Sequence, residues 1–239
     1  MTPPADRHRA RGLWLAVLAA SLAAGCGGPR YGFALPDGAC READDDARPW
    51  ETRGFGMPVP DDAPRRGARR PRVVVQTFSD FECPYCGQLE PTMARLLEEY
   101  GACVQVVWRH HPLEYHAHAR LAAQAAHEVY RQAGDAAFFR FAALLFADQG
   151  RLARADLEAR AATIGGVDLA RLREALDAGA HAEVVARDQA ALDALPTDAP
   201  LGAPTVLVNG TLVHGARRYG HFAFRVEEAL AEQYGVTRR

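Results

Sequence analysis

Two cysteines separated by two residues, Cys83 and Cys86, are the side chains of this sequence whose type and spacing best suit chemistry. They follow an apolar run at residues 73–75, typical of a buried strand, and precede residues 89–100, where apolar positions recur at helical spacing. Cys83 is therefore predicted at a helix N-terminus, where unpaired N–H groups and a partial positive charge favour a thiolate. Because Cys86 lies one turn later, the pair can close and reopen a disulfide, which predicts thiol–disulfide exchange.

The same pair has two other interpretations, a structural disulfide and half of a zinc site. Structural zinc needs about four ligands in a tetrahedral set, and the sequence contains no second Cys-x-x-Cys. Four histidines could supply further ligands, but they cluster at the start of a different element: His110, His111, His116 and His118. Redox chemistry is favoured over both alternatives, and neither a metal nor another cofactor is predicted.

Composition places the chain among globular proteins. It has 239 residues, of which 49% are hydrophobic and 24% charged, enough for one domain with a full core or two small ones. The formal net charge is −2, which gives no electrostatic argument for nucleic acid as a partner. All 28 basic residues are arginine, which we interpret as a compositional bias.

Residues 1–25 are predicted to be a targeting segment. Three arginines precede an apolar stretch, residues 13–24, that is too short to span a bilayer. The stretch ends in Leu-Ala-Ala-Gly-Cys at residues 22–26, which resembles the lipobox of bacterial lipoproteins, although Ala23 stands where leucine is commoner. The resemblance implies cleavage before Cys26 and lipidation of its sulfur. Plain secretory cleavage and an uncleaved anchor are the alternatives.

Export predicts an envelope protein on the periplasmic side, in an oxidising compartment where disulfides persist. Gly27 is not the aspartate that retains lipoproteins at the inner membrane, so the resemblance leans towards the outer membrane.

The remaining chain divides into a tether at residues 26–70 and a compact domain at residues 71–239. Trp50, Phe55 and Met57 suggest that part of the tether packs onto the domain. A strand, the motif helix and a second strand predict a parallel βαβ unit, and Asn209-Gly210 predicts a hairpin. The expected elements are strand 72–78, helix 84–100, strand 104–108, helical region 113–196, strands 205–208 and 211–214, and helix 219–234.

Within the helical region, four phenylalanines at positions 138, 139, 141 and 146 favour a core stripe over a ligand pocket. Asp156 and Asp168 are the expected N-caps of two short helices.

This order of elements, with Cys-x-x-Cys opening the first helix, resembles the thioredoxin fold with a DsbA-type helical insertion between its βαβ and ββα halves, an α/β class. Residues 78–86, Phe-Ser-Asp-Phe-Glu-Cys-Pro-Tyr-Cys, are similar to the active-site segment of DsbA-like thiol:disulfide oxidoreductases. His111-Pro112-Leu113 followed by His116 is similar to the start of their insertion. Residues 202–205, Gly-Ala-Pro-Thr, match the position of the cis-proline loop in this superfamily.

The resemblance implies a redox disulfide between Cys83 and Cys86, in which a client thiolate attacks the more accessible Cys83. It also implies a cis Ala203–Pro204 bond, with Pro204 packed against the disulfide and the Ala203 backbone paired with an extended client. The implied partners are cysteine-containing protein clients and a membrane protein that reoxidises the pair. The remaining implied substrate contacts are Pro84 and Tyr85.

Two departures from the family pattern bear on the mechanism. Thr77 stands where many relatives place a buried acid, so the proton route to Cys86 falls to Asp80 or Glu82, which are expected to face solvent. Tyr85 replaces the histidine of the best-known member, which predicts a weaker oxidant than that member. A reductase or isomerase on the same fold, and a lipid-tethered peptide-binding module with a structural disulfide, are the alternative functions.

The two remaining cysteines are Cys40 and Cys103. With Cys26 lipidated and Cys83 and Cys86 paired, they are predicted to form a structural disulfide, the alternative being two free thiols.

Overall fold

A computed structural model describes residues 31–43 and 48–238 of the chain. Their helices and strands, in chain order, are α1 (Pro49–Thr52), β1 (Arg65–Gly67), β2 (Val73–Ser79), α2 (Pro84–Tyr100), β3 (Val104–His110), α3 (Ala119–Ala147), α4 (Arg154–Ala161), α5 (Leu169–Ala178), α6 (Ala182–Asp193), β4 (Thr205–Val208), β5 (Thr211–His214) and α7 (Tyr219–Gln233).

The five strands form one mixed sheet in the order β1-β3-β2-β4-β5. β2 and β3 are parallel and joined through α2, which confirms the predicted βαβ unit. β4 is antiparallel to β2 and to β5, and Asn209 and Gly210 both adopt positive φ in the tight turn between β4 and β5. With α7 following β5, these are the βαβ and ββα halves that the resemblance implies.

One face of the sheet is covered by α2 and α7. Alternate residues of the central strands, such as Val75 and Val106, point to this face and pack against Met93 of α2 and Val226 of α7. All of these side chains are buried, and this core fixes the start of α2 above the carboxyl ends of β2 and β3.

The helical insertion, α3 to α6, lies between β3 and β4. Gly134, with φ of 75°, breaks α3 in the middle, a conformation that favours glycine. Phe138 and Phe141 are fully buried in the insertion core together with Trp108 and Phe81, which confirms the core stripe. Because Phe81 comes two residues before Cys83, the insertion packs directly beneath the cysteine motif.

A buried ion pair attaches the insertion to the sheet. Arg109 of β3 donates to Asp188 of α6 at 2.9 Å, and both side chains are 2% exposed. The second oxygen of Asp188 accepts from the backbone N–H of His110 at 3.0 Å, so α6 is fixed against the end of β3.

The segment expected as a tether is more ordered than predicted. Residues 65–67 form β1, an edge strand antiparallel to β3, so the sheet begins before residue 71. Trp50 and Met57 are buried, as expected for a partly packed segment, and Phe55 N–H donates to the carbonyl of Gly210 at 3.0 Å. β1 was not predicted, because its three residues, Arg-Arg-Gly, lack an alternating apolar pattern.

The cap predictions for the insertion had mixed outcomes. Asp168 caps α5 by accepting from the N–H groups of Ala170 and Arg171. Asp156 is not a cap, since α4 begins at Arg154 and Asp156 lies in its first turn. Within the described residues, none of the helices combines the length and the apolar character needed to cross a bilayer.

Candidate active site

The cysteine motif forms the start of α2. Cys83 is the N-cap residue with extended dihedral angles, and its carbonyl accepts from the N–H groups of Cys86 and Gly87 at 3.1 and 3.3 Å. Pro84 occupies the first helical position, where a missing N–H costs no hydrogen bond. The two cysteines therefore lie one helical turn apart at the positive end of the helix, as predicted.

Both sulfur-bearing side chains are buried, Cys83 with 3% and Cys86 with 1% of its surface exposed. Cys83 is thus the more accessible of the two, but it is much less open than the sequence suggested. The surrounding surface is exposed at Pro84 and at Tyr85, whose side chain is 60% accessible. The rings of Pro84 and Tyr85 therefore border a sulfur that lies just below the surface.

Gln149, which follows α3, holds the backbone of the motif. Its side-chain amide donates to the carbonyl oxygens of Phe81 and Cys83, each at 2.8 Å. This contact of Gln149 could not be predicted from the sequence, because Gln149 lies 66 positions from Cys83 in the polar turn after α3.

The two thiols differ strongly in acidity. The pKa of Cys83 is lowered to about 6. The largest effect is a hydrogen bond from Cys86. Burial opposes it, and backbone N–H groups lower the pKa further. Burial, followed by the hydrogen bond and charge of Cys83, raises the pKa of Cys86 far above the usual thiol range. The arrangement therefore stabilises one thiolate, at Cys83, and keeps Cys86 protonated.

The loop before β4 lies against this thiolate. The Ala203–Pro204 peptide bond is cis, and Cys83 Sγ lies 3.3 Å from the carbonyl oxygen of Ala203. The Thr205 hydroxyl donates to the Gly202 carbonyl at 2.6 Å and stabilises the loop. The structure thus brings together the residues that the resemblance assigned to the redox pair and to the cis-proline loop.

Asp80 is buried, in contrast to the solvent-facing position expected for it. One carboxylate oxygen accepts from the N–H of Leu113 at 2.8 Å and lies 2.7 Å from Nδ1 of His116, and the other accepts from the N–H of Glu82. Its negative charge also raises the pKa of Cys83 slightly against the other effects. The burial of Asp80 was not predicted, because two of the groups that contact its carboxylate, in Leu113 and His116, lie more than 30 residues away.

Glu82 is half-buried and accepts from the N–H of His118 at 2.7 Å. Together, Asp80 and Glu82 attach the motif to residues 113–118, the segment that leads into the insertion. At the position of the family's buried acid, the Thr77 hydroxyl donates to the carbonyl of Val107 and offers no ionisable group. The hydroxyl of Ser79, by contrast, acts on Cys86 and lowers the pKa of that thiol against the effect of burial.

The four histidines weighed as zinc ligands have separate contacts. Nδ1 of His110 accepts from the indole of Trp108, and Nε2 of His111 contacts the carbonyl of Leu201, while His116 and His118 lie against the two carboxylates. Within residues 31–43 and 48–238, no group of three or more potential ligands is arranged to hold a metal ion.

The other cysteines lie apart from this site. Cys40 and Cys103 form a disulfide that joins residues 31–43 to the loop before β3. Cys26, with the whole predicted targeting segment, lies outside the described residues.

Comparisons with known proteins agree with this geometry. The thioredoxin family model matches residues 61–228. The fold resembles the crystal structure of oxidised BdbD from Bacillus subtilis (TM-score 0.66, 23% identity), covering 74% of this chain and 97% of that one. It also resembles a thioredoxin-like oxidoreductase from Silicibacter pomeroyi (TM-score 0.62, 24% identity), with coverage of 71% and 93%.

Sequence relatives include two proteins named Na(+)/H(+) antiporter. NhaA 3 of Salinispora tropica is 41% identical over 177 residues, and NhaA 1 of Salinispora arenicola is 39% identical over 178 residues. In both cases the match covers 73% of this chain but 26% of the relative, so the chain spans about a quarter of the length of these proteins.

A parallel βαβ unit, a helical insertion and a ββα unit, with a dithiol facing a cis-proline loop, define a thioredoxin-like fold with a DsbA-type helical insertion. The chain belongs to the thioredoxin family. Its intact Cys-x-x-Cys pair at the start of α2 is the dithiol that thiol–disulfide exchange requires.

Proposed function

We propose that this protein is an oxidant of the bacterial envelope that donates its Cys83–Cys86 disulfide to cysteine-containing proteins. The observation that carries the proposal is the lowered pKa of Cys83, about 6, in the reduced form. A stabilised thiolate makes the reduced protein the favoured product, so that the disulfide is readily given away.

The cycle begins with a client thiolate that attacks Cys83 Sγ. A client–Cys83 disulfide forms, the Cys83–Cys86 bond breaks, and the electron pair leaves on Cys86, which must then take up a proton. A second client thiolate attacks the client sulfur of the mixed disulfide and releases Cys83 as its stable thiolate. The client is oxidised by two electrons, and a membrane redox partner accepts these electrons when it restores the disulfide.

Asp80 is the carboxylate best placed to assist proton uptake by Cys86. Its own backbone N–H lies 3.4 Å from Cys86 Sγ, and its carboxylate lies 2.7 Å from Nδ1 of His116, whose side chain is more accessible. Glu82, whose carboxylate accepts from the N–H of His118, is the second candidate.

The proposed location is the periplasmic side of a membrane, preferably the outer membrane, through a lipid on Cys26. The lipobox supports the anchor, and the antiporter names of the sequence relatives support a setting at a membrane. Phe33 is buried and forms a β-bridge with Arg238, so only the six residues 27–32 separate the anchor from the domain. At up to about 3.6 Å per residue, the tether holds Phe33 within about 25 Å of the lipid, much closer than a tether of residues 26–70 would.

The reduction potential of the purified protein tests the proposed direction. We expect a value above that of thioredoxin, about −270 mV, and below that of DsbA, about −120 mV, because Tyr85 supplies no cation to the thiolate. A potential at or below the thioredoxin value would instead identify a reductase. Alkylation of Cys83 by iodoacetamide below pH 7 distinguishes both enzymes from a binding module, in which the pair would react only after unfolding.

A further inference from the structure

The end of β5, the start of α7 and the loop between them carry a cluster of basic residues beside the cis-proline. We call this cluster the basic rim: His214, Arg217, Arg218 and His221, all exposed. None of these residues belongs to the cysteine motif or to the interactions that hold it.

Backbone hydrogen bonds fix the rim next to the reacting sulfur. His214 lies opposite Thr205 in the β4–β5 pairing, and the N–H of Gly215 donates to the carbonyl of Pro204 at 3.0 Å. The carbonyl of Ala203, the residue before Pro204, contacts Cys83 Sγ. The rim therefore begins beside the carbonyl that is proposed to bind the client.

The rim keeps its positive charge, and one of its arginines is fixed in place by a hydrogen bond. Nε of Arg217 donates to the carbonyl of His214 at 2.9 Å, which places its guanidinium over the end of β5. The pKa of His221 is lowered by burial first, then by the charge of Arg225 and then by that of Arg217. Arg217 and His221 therefore lie close together. Glu228, the acid that acts on His221, is bound by Arg225 at 2.6 Å, and no carboxylate of the described chain forms an ion pair with the four rim residues.

The segment that holds the motif from the insertion, residues 113–118, has different chemistry. It exposes Glu114 and Tyr115, and its backbone N–H groups occupy the carboxylates of Asp80 and Glu82. A client laid along Ala203 therefore meets uncompensated positive charge at the rim. Guanidinium groups bind carboxylates with charge-assisted, often bidentate hydrogen bonds.

We propose that the basic rim is a specificity site that favours client segments with aspartate or glutamate close in sequence to the reacting cysteine. This inference rests on the proposed function, because it assumes that clients bind along Ala203. The rim acts on encounter and orientation of the client and takes no part in the transfer of electrons, so its effect is reduced by salt.

The test uses the oxidised full-length protein and three peptides, each with a single cysteine flanked on both sides by Glu, Gln or Arg. The rate of loss of the Cys83–Cys86 disulfide is measured by acid quench and mass spectrometry under excess peptide. Each rate is divided by the rate of the same peptide with hydroxyethyl disulfide, which corrects for the thiol reactivity of the peptide. We expect the Glu peptide to react about tenfold faster than the Arg peptide at low salt, and this ratio to shrink in high salt.

The variant Arg217→Gln/Arg218→Gln should lose most of this preference and keep its rate with the Gln peptide. The matched control, Arg140→Gln/Arg171→Gln, removes two exposed arginines of the insertion and should keep the full preference. Equal normalised rates for the three peptides, or the same preference in the rim variant, would overturn the inference. A rim variant that loses only its binding to anionic vesicles would assign the rim to the membrane and overturn it as well. Failure of the wild-type protein to react with the Gln peptide would instead count against the proposed function.

Discussion

Cys83 Sγ lies 3.3 Å from the carbonyl oxygen of Ala203, a residue 120 positions further along the chain. With its pKa lowered to about 6, Cys83 is a thiolate at neutral pH and has no proton to donate to this oxygen, and a disulfide-bonded Cys83 has none either. In both redox states the carbonyl can therefore accept from the backbone of an extended client, as the proposed function requires. The contact places that carbonyl directly beside the reacting sulfur.

Replacement of Cys86 by alanine should raise the pKa of Cys83 from about 6 towards the ordinary thiol value of about 8.5. The reason is that the hydrogen bond from Cys86 is the largest effect that lowers this pKa. The pH dependence of iodoacetamide alkylation, or of thiolate absorbance, measures the shift. A Cys83→Ser variant is the control and should show no transition near pH 6, while an unchanged midpoint in Cys86→Ala would contradict the assignment.

Replacement of Asp80 by asparagine should lower the pKa of Cys83 further and make the protein a stronger oxidant, because a negative charge beside the thiolate is removed. The same change weakens the bonds that Asp80 accepts from Leu113, His116 and Glu82, so the free energy of unfolding should fall by about 1–3 kcal/mol. Thiolate titration and urea unfolding measure the two effects. Glu82→Gln is the control for loss of a nearby charge, and a higher Cys83 pKa in Asp80→Asn would refute the charge argument.

The Arg109–Asp188 pair should be essential for attaching α6 to the sheet. Arg109→Met leaves the buried Asp188 carboxylate with only the exposed Arg187, at 3.3 Å, as a cation, and we expect a loss of about 3 kcal/mol in the free energy of unfolding. Urea titration measures this loss. The control Arg173→Met breaks an exposed ion pair with Glu158 and should cost no more than about 1 kcal/mol. Equal losses in the two variants would show that burial of the pair does not determine its contribution.

The Cys40–Cys103 disulfide should stabilise the folded protein by closing a long loop. The bridge spans 63 positions, for which the chain-entropy relation gives about 4 kcal/mol. Urea unfolding of Cys40→Ala/Cys103→Ala should show a loss of this order. Dithiothreitol should lower the stability of the wild type more than that of the double variant, which retains only the redox pair. The difference between the two losses should again be of this order. Comparable stability of wild type and variant without reductant would contradict a structural role.

Local signals in the sequence were sufficient for most of the fold. The apolar runs of β2 and β3, the Asn209-Gly210 turn and the helical period of α7 each depend on neighbouring residues, and all were placed within a few positions. β1 was missed because an edge strand of three residues needs no apolar pattern when its pairing with β3 supplies the hydrogen bonds.

The site was predictable only where its chemistry is local. Cys83 and Cys86 follow from spacing, and Pro204 follows from the resemblance. The burial of Asp80, its contact with His116 and the support of the motif by Gln149 depend on how the insertion packs against the sheet. Contacts between residues this far apart leave no periodic or compositional trace, so a single sequence cannot reveal them.

Buried histidines should make the protein sensitive to mild acid. His110 and His127 are each 1% exposed, with ring centroids 5.6 Å apart, and burial is the largest effect that lowers the pKa of each to about 3. In the unfolded chain a histidine has a pKa of about 6.5, so between pH 6.5 and 3 the unfolded state binds protons that the folded state does not. The free energy of unfolding is therefore fully retained above pH 6.5 and falls as the pH decreases, by about 2 kcal/mol per histidine between pH 7.5 and 5.

Urea unfolding of His127→Gln at these two pH values tests this dependence. The difference in stability between pH 7.5 and 5 should be smaller than in the wild type by about 2 kcal/mol, because one proton-binding group of the unfolded state is gone. His118→Gln is the control, since its side chain is 45% exposed and need not be desolvated on folding. The comparison with this control isolates the contribution of the buried ring. An unchanged pH dependence in His127→Gln would show that this histidine is not held neutral by its burial in the insertion.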